Sequence, residues 1–276
     1  MQTTNTICFY ICFANVELKV VAPWTWYKYF EKLYDGSEII RCSRMSQKKP
    51  DGALYLEEVK SKTISFEFSV HPDLKKYTIR ASDSPLFLCL SAHQCIARTL
   101  NILFHRKGGI VLHSSVALID GKALLFVGES GRGKSTIVDF LHTNKPDVDI
   151  LSDNSAFIIK RAGRFMVYPS PYVEANRLNS LQKRLPLQPP YEIGAIFFPY
   201  HATYNKIQKL GFQNRLKLLQ YNSHIPFQPH KLFNTGGVRT FGKLIFDLID
   251  SVNMYKLEFE KGPGFIRYLS RYVPHN

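Results

Sequence analysis

A glycine-rich octapeptide, Gly128–Ser135 (GESGRGKS), carries the residue types that hold nucleotide phosphates. It matches G-x-x-x-x-G-K-[S/T] at every fixed position. Its glycines let successive backbone N–H groups converge on phosphate oxygens, and the N-terminus of a following helix adds partial positive charge there. Lys134 is placed to reach the β- and γ-phosphates, and the Ser135 hydroxyl is a candidate Mg²⁺ ligand. The pattern predicts an ATP and Mg²⁺ site formed by Gly128, Glu129, Ser130, Gly131, Arg132, Gly133, Lys134, Ser135 and Thr136.

The residues on either side of this octapeptide predict the strand and helix that the motif requires. Lys122–Val127 is a short apolar run typical of a buried strand. After the loop, Ile137, Phe140 and Leu141 follow one another at helical spacing. The alternative interpretation is a glycine-rich turn before an ordinary helix. The strand–loop–helix order favours the phosphate loop.

Two residues outside the loop are candidates for chemistry. Asp153 lies at the end of an apolar run, one helix and one turn after Ser135, so its strand is predicted to lie beside the loop strand. Its carboxylate is a candidate metal ligand or base, although the same residue can also cap a turn or helix. His113 precedes the loop strand in an apolar segment, where a lone histidine is usually structural. Arg132, inside the loop, either contacts phosphate or points to solvent.

A histidine before a hairpin, the phosphate loop and a Leu-x-Asp strand end follow one another in Ile110–Thr136 and Asp149–Phe157. In this order and spacing, residues 109–158 resemble the HPr kinase/phosphorylase catalytic domain, and more closely the shorter HPr-kinase-like proteins. The resemblance implies a phosphoenolpyruvate-carboxykinase-like α/β fold. It also implies a Mg²⁺-dependent kinase that transfers the γ-phosphate of ATP to a seryl hydroxyl of a peptide or protein.

The same resemblance implies roles for individual residues. His113, Lys134 and Asp153 match catalytic positions, and Ser135 and Asp153 match the metal site. The family's second aspartate is Asn154 here. An asparagine can bind Mg²⁺ through its carbonyl oxygen but cannot act as a base at neutral pH. The alternative function is therefore a catalytically weak nucleotide-binding regulatory module of the same fold.

Further candidates lie downstream of this segment. Glu174 is either a metal ligand or an ordinary solvated glutamate. Gly236–Arg239 is either a second phosphate contact or a helix-entry turn, which we favour. Lys206 and Lys209 are most simply surface charges. The segment from Leu181 to Tyr191, with three prolines, is predicted to be a loop that flanks the active site.

Charge and cysteine content limit the partners. The 276-residue chain has a formal net charge of +14. From residue 156 onward, 17 Lys and Arg against 6 Asp and Glu leave a surplus of 11 positive charges. This suits a nucleotide and an acidic or phosphorylated partner. A basic nucleic-acid-binding NTPase is the competing class, but the sequence has no helix-turn-helix, zinc-finger or aromatic RNA-binding pattern.

Five cysteines, an odd number without C-x-x-C spacing, favour reduced thiols and a cytoplasmic protein. The apolar segment Ile7–Ala14 predicts a strand and not a membrane span, so no membrane partner is expected. Homo-oligomerisation stays open.

The predicted fold class is α/β: a mixed sheet with helices that contains the phosphate loop, plus a smaller strand-rich N-terminal region. Residues 1–83 form the strand-rich region, which either presents substrate or covers the core, and residues 84–276 form the catalytic domain. Besides the helix that follows the phosphate loop, the predicted helices are 24–34, 85–107 and 238–252. The predicted strands are 9–21, 53–58, 63–70, 110–118, 122–127, 148–153, 156–159, 165–168, 193–198 and 255–260.

Overall fold

The computed structural model describes residues 6–24, 40–43, 49–59, 66–71, 76–82, 85–145, 147–170, 190–223 and 235–272. Within these ranges the fold is α/β, with two sheets that dominate the structure. The described residues fall into two compact units, one up to Lys107 and one from Gly108. The helix after residue 84 groups with the strand-rich region, so the first unit extends past the boundary predicted at residue 83.

The first unit is a six-stranded sheet with one helix. The strand order is β3-β1-β2-β4-β6-β5. The pairs β2–β4 and β4–β6 are parallel and the others antiparallel. The elements are β1 (Thr6–Phe13), β2 (Val16–Pro23), β3 (Ile40–Ser43), β4 (Gly52–Val59), β5 (Phe66–Val70), β6 (Lys76–Ser82) and α1 (Pro85–Arg106).

The first predicted strand, residues 9–21, is instead a hairpin of β1 and β2. Ala14 adopts φ 53°, a left-handed conformation that reverses the chain. Apolar composition alone does not reveal this turn, because its two residues are Ala14 and Asn15 without a glycine. The helix predicted at 24–34 falls on residues 25–39, which lie outside the described residues.

Apolar residues of α1 and the first sheet form the core of this unit. Ile96, Leu100 and Phe104 of α1 are fully buried. Phe9 and Phe13 of β1 are also buried, with at most 1% of their surface exposed. The rings of Phe13 and Phe104 lie 6.3 Å apart. The helix therefore supplies the apolar cover for the sheet.

The second unit contains the phosphate loop. Its main sheet has the order β11-β10-β7-β8-β12-β14-β13, and β9 pairs with β7. The elements are β7 (Ile110–Ile119), β8 (Lys122–Val127), α2 (Lys134–Asn144), β9 (Asp149–Ser152), β10 (Ser155–Arg161), β11 (Arg164–Tyr168), β12 (Tyr191–His201), β13 (Lys206–Lys209), α3 (Phe212–Asn222), α4 (Thr235–Ser251), β14 (Met254–Phe259) and α5 (Ile266–Leu269).

Most of these elements are close to the predicted ones. The strand and helix on either side of the loop are confirmed, and α4 begins three residues before its predicted start. Three elements were missed: β13, α3 and the short α5. The missed α3 has a mostly polar sequence and buries only Leu219 and Asn222, so its apolar periodicity is weak.

Two apolar clusters cover the two faces of this sheet. On one face, Phe126 of β8 packs with Ile137 and Leu141 of α2. On the other, Leu125 of β8 packs with Leu248 of α4. Alternate residues of β8 thus serve opposite layers, which fixes the loop at the end of a strand buried on both faces.

The direction of the strands decides where the site lies. β8 runs parallel to β12, and β12 runs parallel to β14. The carboxyl ends of these three strands therefore meet at one edge of the sheet. Among the described helices, none is both long and apolar enough to span a membrane.

Candidate functional site

The phosphate loop joins β8 to α2 through two left-handed glycines. Gly131 has φ 80° and Gly133 has φ 85°, and the helix begins at Lys134. A Cβ on Gly133 would lie 2.5 Å from Phe259 Cζ and 2.9 Å from His201 Cε1. Gly133 is therefore required both for its backbone conformation and for the close approach of two side chains.

Lys134 lies almost entirely within the protein, with 5% of its surface exposed. Its Nζ donates a hydrogen bond to the main-chain oxygen of Glu129 at 2.8 Å, across the loop. Burial lowers the pKa of the Lys134 ammonium, while the negative charges of Asp153 and Glu129 oppose that change. Because the buried ammonium of Lys134 is poorly stabilised by the protein, a bound phosphate would stabilise it further.

The strand β7 connects the loop to the predicted acid. On one edge, Ser114 pairs with Val127 at the end of β8, and the Gly128 N–H donates to the His113 carbonyl at 3.2 Å. On its other edge, β7 pairs with both β9 and β10. The sequence predicted that the strand of Asp153 lies beside the loop strand. That prediction is wrong, because β7 lies between them.

The register places Asp153 opposite Ser115. Val116 pairs with Ser152 and His113 pairs with Ser155, which leaves two residues between these pairs on each strand. The Ser114 N–H donates to the Asn154 carbonyl at 3.2 Å, consistent with that register. The Ser115 hydroxyl donates to Asp153 Oδ1 at 3.0 Å and lies 3.2 Å from the Asp153 main-chain oxygen. One carboxylate oxygen of Asp153 is thereby held in place.

The predicted residues come together in one pocket of about 500 Å³ at this edge of the sheet. It contains the inner residues of the loop together with the histidine and the carboxylate predicted to act beside it. The lining residues are His113, Ser130, Gly131, Gly133, Lys134, Ser135, Thr136, Asp153, Asn154, His201 and Lys261.

Three of the predicted cofactor-binding residues lie outside that lining. Gly128 is buried at the end of β8. The Glu129 carboxylate accepts a hydrogen bond from the Tyr221 hydroxyl at 2.7 Å. The guanidinium of Arg132 lies 5.0 Å from the centre of the Tyr200 ring and 3.8 Å from Glu129. The side chains of Glu129 and Arg132 thus form an outer cluster around the loop.

Three residues of the site escaped prediction: Ser115, His201 and Lys261. The last two could have been predicted. His201 is the last residue of β12, and Lys261 lies two residues after the end of β14. Polar residues that follow parallel strands gather at the same edge as the loop. Ser115 gave no such signal, since its role depends on the register between β7 and β9.

The remaining candidates lie elsewhere. Gly236–Arg239 falls in the first turn of α4, in keeping with the favoured helix-entry interpretation. Lys206 and Lys209 are exposed on β13. Glu174 and most of the 181–191 loop fall within residues 171–189, outside the described residues.

The donor set fits a nucleotide with Mg²⁺. The loop supplies the left-handed glycines and the buried ammonium that a polyphosphate requires. Ser135 and Asp153 line the same pocket, and Mg²⁺ usually takes one or two protein ligands together with waters and phosphate oxygens. Among the described residues there is no group of three His, Cys, Asp or Glu side chains that could hold a metal by themselves.

Comparison with known proteins corrects one expectation. The model of a family described as SynChlorMet cassette protein ScmC matches residues 82–231. This is not an HPr kinase family, so the assignment of residues 109–158 to the HPr-kinase type is wrong. The central part of that run is the phosphate loop, and the same chemistry recurs on unrelated folds. No curated protein matches the sequence.

Proposed function

The chain belongs to the family of the SynChlorMet cassette protein ScmC, and from that premise we propose that it is an ATP-dependent phosphotransferase acting on a hydroxyl group. The observation that carries the proposal is the meeting of Lys134, Ser135 and Asp153 in one pocket. These residues supply a cation for phosphate, an oxygen ligand for Mg²⁺ and a carboxylate near the reacting groups. The support for these three roles is the geometry of the pocket.

In the proposed reaction, the loop N–H groups and Lys134 hold the triphosphate of ATP. The acceptor oxygen forms a bond to the γ-phosphorus while the bond from that phosphorus to the β–γ bridging oxygen breaks. The acceptor proton passes to Asp153 or His113, and ADP leaves with the bridging oxygen. Bound Mg²⁺ would supply neutralisation of phosphate charge, held by Ser135 and Asp153.

Ser115 and Lys134 prepare the site for this transfer. Ser115 holds Oδ1 of Asp153, which limits the orientations of the carboxylate. Lys134 exchanges its bond to the Glu129 main-chain oxygen for phosphate oxygens. Such reactions depend mainly on positioning and on electrostatic stabilisation of developing charge.

We extend the proposal to the acceptor, the fold and the cellular compartment. A seryl hydroxyl on a peptide or protein is the proposed acceptor, supported by the positive surplus after residue 155, which favours an acidic partner. The mixed sheet around β8 supports a phosphoenolpyruvate-carboxykinase-like arrangement. Cys8 and Cys12 form no disulfide among the described residues, which supports a cytoplasmic protein.

Two substitutions test the proposal. With γ-labelled ATP and a mixture of acidic serine-containing peptides, Lys134→Ala should abolish labelling and weaken ATP binding. Asp153→Asn should keep ATP binding but reduce transfer by about a hundredfold or more. Asp147→Asn changes an exposed aspartate outside the pocket and is the matched control. Full transfer by the Asp153 variant would contradict the proposal.

A nucleotide-binding regulatory module is the second candidate. It is favoured by the presence of Asn154, and not a second carboxylate, beside Asp153 in the pocket. This candidate predicts tight ATP binding without transfer to any acceptor. Measuring ATP affinity and ATP turnover on the same preparation separates the two.

A further inference from the structure

We propose that Lys261 binds the diphosphate group of the ADP that leaves during the transfer. This role rests on the proposed function. Lys261 lies in the loop after β14 and lines the pocket with Gly131, Gly133 and Lys134. It comes from a different part of the chain than the phosphate loop and lies beyond residues 82–231, which match the family model. It would be a second cation for the polyphosphate, beside Lys134.

The order of the strands places Lys261 and Asp153 on opposite sides of the loop. β8 carries the loop; β7 and then β9 lie on one side, and β12 and then β14 lie on the other. Asp153 follows β9 on the first side, Lys261 follows β14 on the second, and both residues line the pocket. The pocket therefore has a wall with a carboxylate and a wall with a cation, and the loop lies between them.

In-line transfer explains why a cation belongs opposite the carboxylate. The attacking oxygen, the phosphorus and the leaving oxygen lie roughly on one line in the transition state. If Asp153 takes the acceptor proton, the leaving oxygen is on the far side of the γ-phosphorus. Lys261 is then near the diphosphate on which negative charge develops.

The chain around Lys261 is held firmly on both sides. Asn205 Nδ2 donates to Glu260 Oε1 at 2.6 Å, and the Glu260 N–H donates to Asn205 Oδ1 at 3.3 Å. After Lys261, the fully buried Phe265 packs with its ring 5.6 Å from that of Phe259. A charge presented from such an anchored segment loses little backbone freedom when it binds an anion.

His201 links this wall to the phosphate loop. Its Nε2 lies 3.2 Å from the Gly131 carbonyl oxygen, and its ring centre lies 5.0 Å from that of Phe259. As the donor in this hydrogen bond, the imidazole N–H holds the Gly131 carbonyl. The exposed Lys261 thus lines the pocket together with a residue that contacts the loop.

Nucleotides that differ in phosphate number test the assignment by calorimetry. Lys261→Met, which removes the ammonium and keeps an unbranched side chain that is one atom shorter, should weaken binding of both ATP and ADP by about tenfold. Binding of AMP, which lacks the diphosphate, should stay within about twofold. Lys261→Arg should restore most of the affinity, and Lys206→Met removes an exposed lysine outside the pocket as a control.

The possible outcomes are distinct. A loss confined to ATP would place Lys261 on the transferred phosphate and overturn the proposal. Unchanged affinities for ATP and ADP would make Lys261 an ordinary surface residue and also overturn it. If the unaltered protein binds neither ATP nor ADP, the proposed function itself is wrong, and the role of Lys261 falls with it.

Discussion

The Ser115 hydroxyl donates a hydrogen bond to Asp153 Oδ1 at 3.0 Å, across the paired strands β7 and β9. The two residues are 38 positions apart in sequence. Their contact ties the strand before the phosphate loop to the carboxylate after it. Because the Gly128 N–H also bonds to the His113 carbonyl, β7 carries contacts to both sides of the pocket.

Removal of this hydroxyl should affect turnover more than nucleotide binding. We expect Ser115→Ala to lower kcat about tenfold, because Asp153 loses the donor that orients it. The affinity for ATP should stay within about twofold, and Ser115→Thr, which keeps a hydroxyl, should recover part of kcat. Steady-state kinetics with calorimetry of ATP binding provide the measurement.

The neighbouring serine is a matched control for that experiment. Ser114 is also fully buried on β7, but its hydroxyl lies 3.3 Å from the main-chain oxygen of Ser115 and not near Asp153. Ser114→Ala should therefore leave kcat within about twofold of the original value. Equal losses in the two variants would show that the Ser115 effect is merely structural.

The phosphate loop and its flanking elements could be predicted because their signals are local. Glycine spacing, an apolar strand and helical periodicity all lie within Lys122–Leu141. The sequence also predicted that Asp153 lies near the phosphate loop, but it did not predict the strand arrangement that brings it there. The pairing of β9 with β7 depends on contacts between residues far apart in sequence. Likewise, Ser115 acquires its partner only through the register of that pairing.

The family was harder to predict than the site, for a related reason. The motifs in Ile110–Thr136 describe how a chain holds phosphate, which many unrelated proteins must do in similar ways. The pocket also contains His201 and Lys261, brought in by β12 and β14. Their relation to the loop follows from sheet order, which no short motif encodes.

The buried charge of Lys134 should destabilise the nucleotide-free protein. Burial lowers the pKa of its ammonium, so the folded state carries a charge that it stabilises poorly. At neutral pH, Lys134→Met should raise the melting temperature by about 2–4 °C, equivalent to about 1 kcal/mol in a protein of this size. The same variant should lose the stabilisation that ATP gives to the unaltered protein. Differential scanning calorimetry measures both effects.

The advantage of the methionine variant should shrink at alkaline pH. A lysine whose pKa is lowered by folding releases its proton in the folded state before the unfolded state does. Between that lowered pKa and the ordinary value of 10.5, the unfolded state binds more protons, so the unaltered protein gains stability as the pH rises. A stability difference that is constant from neutral to alkaline pH would contradict the assigned burial effect.

The contact between Tyr221 and Glu129 should matter little to binding. Tyr221 is 70% exposed, and the Glu129 side chain is 51% exposed. We expect Tyr221→Phe to leave the affinity for ATP within about twofold.

The hydrogen bond to Glu129 raises the pKa of the Tyr221 phenol, because the carboxylate favours the protonated form. Glu129→Gln should therefore lower that pKa, as followed by NMR of labelled tyrosine.

Gly133 should be the least replaceable glycine of the loop. An alanine there adopts the unfavourable φ of 85° and also brings its Cβ within 2.5 Å of Phe259 Cζ. We expect Gly133→Ala to cost about 3 kcal/mol of unfolding free energy, from backbone strain and overpacking together, and to abolish measurable ATP binding.

Gly131 has a similar φ of 80°, but a Cβ on it meets nothing within 4 Å. Gly131→Ala should therefore cost only about 1–2 kcal/mol in urea unfolding. Equal costs for the two variants would mean that the contact with Phe259 does not restrict residue 133.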